Sequence, residues 1–142
     1  MSYCCKYQVK MRTEHKELLL KDLCARLPYG VKVKTNNINI LKLGSHTRVG
    51  EYVTDVIEPC KPYLFPLSSM TEEQKFECFK GTPLEIDKYG DIAVKDDYYG
   101  GSKYTDLEMY LDVIDWLNEN HFDYRGLIEK GLAIDATNLD IY

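Results

Sequence analysis

The sequence predicts an α+β fold, a small antiparallel sheet or partly open barrel packed by two to three helices. Three observations carry this. Period-two alternation recurs, as in Val31, Lys32, Val33 and Lys34, which is the pattern of a half-buried strand. Two other stretches place apolar residues at helical spacing: Leu20, Leu23, Cys24 and Leu27 in one, and Leu107, Tyr110, Leu111, Ile114 and Leu117 in the other. The length of 142 residues and the 44% apolar share suit a single domain with its own core.

The elements follow in order. Over 3–11, Tyr3, Cys5, Tyr7, Val9 and Met11 alternate with polar residues, which predicts an N-terminal extension strand. Thr13 can cap a helix that must stop near Leu27, because Pro28 disfavours helical geometry in the residue before it. Residues 31–35 and 38–43 alternate around Asn36-Asn37, a hairpin signal. A third segment with Tyr52, Val53, Val56 and Ile57 would complete a meander. Pro59, Pro62 and Pro66 stiffen the chain and remove ladder donors, so 59–67 reads as an extended internal connector.

Ser69 with Glu72, or Thr71 with Gln74, makes a capping box ahead of a short helix carrying Phe76 and Phe79. Gly81 and Pro83 end it, and 84–95 reads as a second hairpin turning at Lys88-Tyr89-Gly90-Asp91. Thr105 and Glu108 box the start of a helix over 106–119, with Trp116 off the centre of its apolar stripe. Asp123 can cap a last short turn that closes at Gly131. Residues 132–142 look extended and loosely held.

Composition excludes several classes. The net charge of −5 suits a soluble protein and is a poor basis for gripping a nucleic-acid backbone by overall charge. No apolar run approaches the ~20 residues needed to span a membrane, and the N-terminus lacks a signal arrangement, so the expected compartment is the cytoplasm. Cys4, Cys5, Cys24, Cys60 and Cys78 are odd in number and widely spaced, which reads as reduced thiols rather than a disulfide framework. His15, His46 and His121 lie near no cysteine in sequence, and Asp87, Asp91, Asp96 and Asp97 do not make a calcium loop. No catalytic residue, metal or cofactor is assigned.

Two places could bind a ligand. Asp96-Asp97-Tyr98-Tyr99-Gly100-Gly101-Ser102-Lys103-Tyr104 is glycine-rich, aromatic and runs into a helix start. Backbone N–H groups there favour anions, Lys103 adds charge, and Tyr98, Tyr99 or Tyr104 could stack on a ring. The spacing is not that of a P-loop, and a plain surface loop fits the same residues. His46 and Arg48, beside Ser45 and Thr47, could contact a phosphate, or sit on a solvated loop. Lys32, Lys34 and Lys42 with Arg48 could form a basic patch for nucleic acid, although alternating lysines usually mark a solvated strand face. His121, Asp123, Tyr124 and Arg125 cluster too closely to ignore for acid–base work, yet a capping and packing role fits them better. Twelve tyrosines suit a recognition face.

Two longer stretches carry a resemblance. Residues 16–31, from Lys16-Glu17-Leu18-Leu19 to Tyr29-Gly30-Val31, are one; Asp115-Trp116-Leu117-Asn118 with His121-Phe122-Asp123-Tyr124-Arg125-Gly126-Leu127 and the residues on to Ala133 are the other. With Lys61-Pro62-Tyr63-Leu64 and 66–71 between them, they resemble a family of small proteins of gut Bacteroidales, found especially in their phages and prophages. The likeness covers about half the chain. It implies a phage or mobile-element setting and no chemistry. Together with the loop 96–104 it predicts a non-catalytic binding protein, an anti-defence factor that binds a host protein or sequesters a small nucleotide-like ligand, acting as a monomer or homo-oligomer; an accessory nucleic-acid-binding protein is the alternative.

Overall fold

The computed structural model describes residues 13–44, 47, 60–95 and 107–142. Among them run α1 (Thr13–Arg26), β1 (Lys32–Thr35), β2 (Leu41–Lys42), β3 (Cys60–Pro66), α2 (Glu72–Phe79), β4 (Leu84–Ile86), β5 (Ile92–Val94), α3 (Leu107–Glu119), β6 (Phe122–Asp123) and β7 (Ile134–Asp135). The fold is α+β, as the sequence predicts. The strand expected over 3–11, the segment around Tyr52 to Ile57 and the capping residue Thr105 lie outside the described residues.

The main correction concerns the proline-rich stretch. It is no connector: β3 is the strand on which the main sheet is built. β1 pairs with it antiparallel, with Val33 opposite Pro62 and Thr35 opposite Cys60. β6 and β7 join it parallel, Phe65 opposite Phe122 and Tyr63 opposite Ile134. The five-stranded sheet is therefore mixed, whereas an antiparallel one was expected. Alternation explains how prolines fit. Consecutive residues of a strand turn their polar groups to opposite edges. Phe65 N–H donates to His121 O on one edge, and Leu64 O accepts from Ala136 N–H on the other. Pro62 shares its direction with Leu64, so its missing N–H faces the β7 edge, where pairing starts only at Tyr63. No rung to β1 is lost.

The two faces of β3 bury into different cores. Cys60 and Leu64 pack with Val31, Val33 and Leu43 against Leu19 and Leu23 of α1 and against Leu127 and Leu132. Phe65, on the other face, packs against a second core of Leu67, Met70, Phe79, Leu84, Val113, Leu117 and Phe122, which ties α2, α3 and the β4–β5 hairpin together. Trp116 stacks on Phe122 there, with ring centroids 5.8 Å apart, and sits half-buried at the edge of this core.

Both helix faces differ from the apolar stripes. In α1 the buried residues are Leu19, Asp22, Leu23 and Arg26, while Cys24 is exposed. A buried ion pair at i,i+4 counts as surface in any polarity pattern, which turns the expected face by one position. In α3, Val113 and Leu117 are buried, whereas Leu107 is 73% exposed and Leu111 is also exposed. In α2, Phe79 is buried but Phe76 is 68% exposed.

Local signals fare better. Thr71 accepts from Gln74 N–H at 3.1 Å and Gln74 Oε1 accepts from Thr71 N–H at 2.9 Å, the expected capping box. The hairpins form where predicted, Lys32 opposite Lys42 in one and Leu84 opposite Val94 in the other. Gly131 takes the left-handed conformation at φ 74. The closing segment 132–142 is not loose: it supplies β7, and Tyr142 reaches back to the sheet.

Candidate functional site

The residues singled out as a ligand loop, Tyr98, Tyr99, Gly100, Gly101, Ser102, Lys103 and Tyr104, lie outside the described residues, as do His46 and Arg48. The lysines of the first hairpin are described, and their arrangement is more specific than their alternation suggested. Lys32 and Lys34 share the face of β1 opposite to buried Val33. Lys42 stands directly across from Lys32, and Lys61 directly across from Lys34. Four ammonium groups thus occupy one sheet face as two opposed pairs. Lys61 was hidden from the sequence pattern because it lay in the supposed connector; only strand pairing brings it beside Lys34.

Opposed residues have Cβ atoms about 4.5–5.5 Å apart, and like charges there are destabilising. Among the described residues no carboxylate comes within ion-pair range of Lys34 or Lys42. A chain with net charge −5 has acidic side chains to spare for such a face. Beside it, Lys34, Thr35, Asn36, Lys61 and Ile134 line a cavity of about 510 Å³. Its polar lining consists of two cations, a hydroxyl and an amide, a donor set suited to an anion.

Next to this face runs a buried polar seam. Arg26, fully buried, donates through Nε to Asp22 Oδ2 at 2.8 Å and through Nη2 to Asp22 Oδ1 at 3.2 Å and Phe122 O at 2.7 Å. Arg125 Nε lies 3.4 Å from Asp22 Oδ1, close enough to attract but not aimed to donate. Burial pushes the Asp22 carboxyl up, and the attraction of Arg26 only partly offsets that. Arg26 Nη1 and His121 Nδ1 are buried without a hydrogen-bond partner. Burial pulls the His121 imidazole down to about 4, helped by the nearby charges of Arg26 and Lys32, so it is neutral at pH 7.

The neighbouring residues of the seam make capping and packing contacts. Asp123 has both carboxylate oxygens engaged, accepting from the N–H groups of Arg125 at 3.3 Å, Leu127 at 3.0 Å and Ile128 at 2.9 Å. That is the capping role expected of it. Tyr124 donates to Asn118 Oδ1 at 2.9 Å. Phe122 is core and Tyr124 half-buried. His121 takes a left-handed backbone at φ 64, and its ring stacks on Tyr142 with centroids 3.7 Å apart.

Two of the described thiols, Cys60 and Cys78, are buried. Burial pushes Cys60 and Cys78 up to about 12, which leaves them protonated at neutral pH. Cys78 and Trp116 line a cleft of about 460 Å³ between α2 and α3 with Glu77, Glu108 and Asp112. No group of His, Cys, Asp or Glu suited to hold a metal occurs among the described residues, and no described helix is long and apolar enough to cross a membrane. No family model, curated protein or solved structure matches the chain.

Proposed function

We propose that this chain is a non-catalytic binding protein whose ligand is a small phosphate-bearing, nucleotide-like molecule held on the lysine face at Lys34 and Lys61. The observation that supports it is the pairing of like charges: Lys32 faces Lys42 and Lys34 faces Lys61. Like charges set directly opposite one another repel, and a bound polyanion offsets that repulsion. A phosphate group accepts from several ammonium groups at once, and the adjoining cavity of about 510 Å³ has room for a nucleotide-sized molecule. The likeness to phage and prophage proteins of gut Bacteroidales supports a setting in which sequestering such a molecule would blunt a host signal.

The test is a calorimetric titration of the protein with inorganic pyrophosphate and with ADP at low ionic strength, beside the Lys34→Gln/Lys61→Gln double variant. Binding should weaken at least about tenfold in the variant and fall with added salt. Absence of binding at millimolar concentration, or equal binding by the variant, would refute it. A gel shift with single-stranded oligonucleotides runs alongside; retention there without pyrophosphate binding would replace this reading with the nucleic-acid one.

A further inference from the structure

The closing segment 136–142 ends in a residue that occupies the sheet in an unusual way. The register that puts Val33 opposite Pro62 puts Lys32 opposite Tyr63. A direct bond from Lys32 N–H to Tyr63 O would fall at that position. Instead the Tyr142 hydroxyl is inserted there, accepting from Lys32 N–H at 2.8 Å and donating to Tyr63 O at 2.9 Å. Its ring lies parallel to the His121 ring, with an 11° interplanar angle, and tilts against Phe65 at 5.9 Å. Lys32 Nζ stands 5.5 Å from the ring centre and donates to Ile141 O at 2.7 Å.

The slot around that ring has the features of a nucleobase site. It has a flat aromatic wall, a main-chain donor beside a main-chain acceptor, and a cation above. A nucleobase edge likewise sets an acceptor beside a donor, and bases stack on aromatic and imidazole rings. His121 Nδ1, buried and without a partner, lies on the same wall. The opposed pair Lys34 and Lys61 is two residues further along the strands, about 7 Å away. Lys32, Lys34 and Lys61 share one face with the slot.

The stretch that leads to the plug lies at the surface. Thr137, Asn138, Leu139 and Asp140 are exposed, and Asp140, not a glycine, takes a left-handed backbone at φ 51. Tyr142 itself remains 39% exposed.

We infer that Tyr142 is an internal stand-in for a nucleotide base, and that segment 137–142 swings aside to admit the base while the phosphates lie on Lys34 and Lys61. The inference rests on the phosphate reading above and adds the base and the gate. Release of the strap also frees Lys32 Nζ from Ile141 O, which brings a third ammonium to the ligand. Strap and ligand therefore compete, and by linkage each weakens the other's hold equally.

The experiment uses the full chain and the Tyr142→Ala variant, followed by amide NMR. Adenosine reads the slot alone, and pyrophosphate reads the lysines alone. Adenosine should shift the Lys32 and Phe65 amides in Tyr142→Ala and leave the wild type unchanged. ADP should bind Tyr142→Ala at least about tenfold more tightly than it binds the wild type. A folded Tyr142→Ala that ignores adenosine overturns the base slot, whatever pyrophosphate does; loss of pyrophosphate binding alone overturns the phosphate reading. Should Tyr142→Ala not fold, ¹³C-labelled tyrosine in the wild type decides. Saturating ADP should move the Tyr142 ring signals to those of a solvated tyrosine, and unmoved signals with ADP bound refute the gate.

Discussion

Replacing Arg26 by Met tests the buried seam most directly. Arg26 is wholly buried and gives three hydrogen bonds, two to Asp22 and one to Phe122 O. Its removal leaves the Asp22 carboxylate in the interior, attracted only by Arg125 at 3.4 Å. Breaking a buried pair from one side costs about 3–5 kcal/mol. The lower end applies here, about 3 kcal/mol at pH 7, because Arg125 partly compensates and Asp22 can escape by taking up a proton. Asp22→Leu should cost more, about 4 kcal/mol, since a guanidinium cannot discharge itself. The double variant Asp22→Leu/Arg26→Met removes both charges and fills the space with apolar groups of similar size. It should cost under about 2 kcal/mol, mostly the lost donor to Phe122 O. Urea denaturation followed by circular dichroism measures all three. The single variants should also melt roughly 10 °C below the wild type. A double variant as unstable as the sum of the singles would show that the pair is not what holds α1 to β6, and would refute the reasoning.

Three further outcomes are expected. Folding keeps His121 neutral, with its imidazole down at about 4 against an ordinary 6.5, so its contribution is fully present above about 6.5 and is lost as pH falls through about 4; the loss is at most about 3 kcal/mol, and His121→Asn, which tolerates the left-handed backbone, should flatten that part of a stability–pH curve. Asp123→Ala strips the acceptor from three N–H groups and should cost about 2–3 kcal/mol in thermal unfolding, against about half that for Asp123→Asn, which keeps one acceptor oxygen. Thr71→Ala removes the side-chain cap of α2 and should cost about 1 kcal/mol by urea denaturation, with no effect on pyrophosphate binding.

The parts legible in the sequence are those governed by neighbours a few residues away. The Thr71–Gln74 box, the turn ending the first helix before Pro28, both hairpins and the Asp123 cap each depend on atoms close in sequence, so residue type and spacing were enough. The candidate site was half legible. Lys32, Lys34 and Lys42 stood out through alternation; Lys61 did not, and the slot around Tyr142 left no trace in any local pattern. The interactions that build it join Tyr142 to Lys32 and Tyr63 across 110 and 79 positions. The Asp22–Arg26 pair misled for the opposite reason. Its i,i+4 spacing is local, but its burial depends on Phe122 O, 96 residues from Arg26.

What the sequence determined by itself was the class of fold and most element positions, because backbone sterics, capping and turn chemistry act over one or two turns of chain. The tertiary structure alone decided that the proline-rich stretch is the strand everything else pairs with. It also decided which helix faces turn inward, and that four lysines and a closing tyrosine meet on one face. Those outcomes turn on strand partners and buried charge compensation supplied by distant segments, and side-chain periodicity carries no information about partners it does not touch.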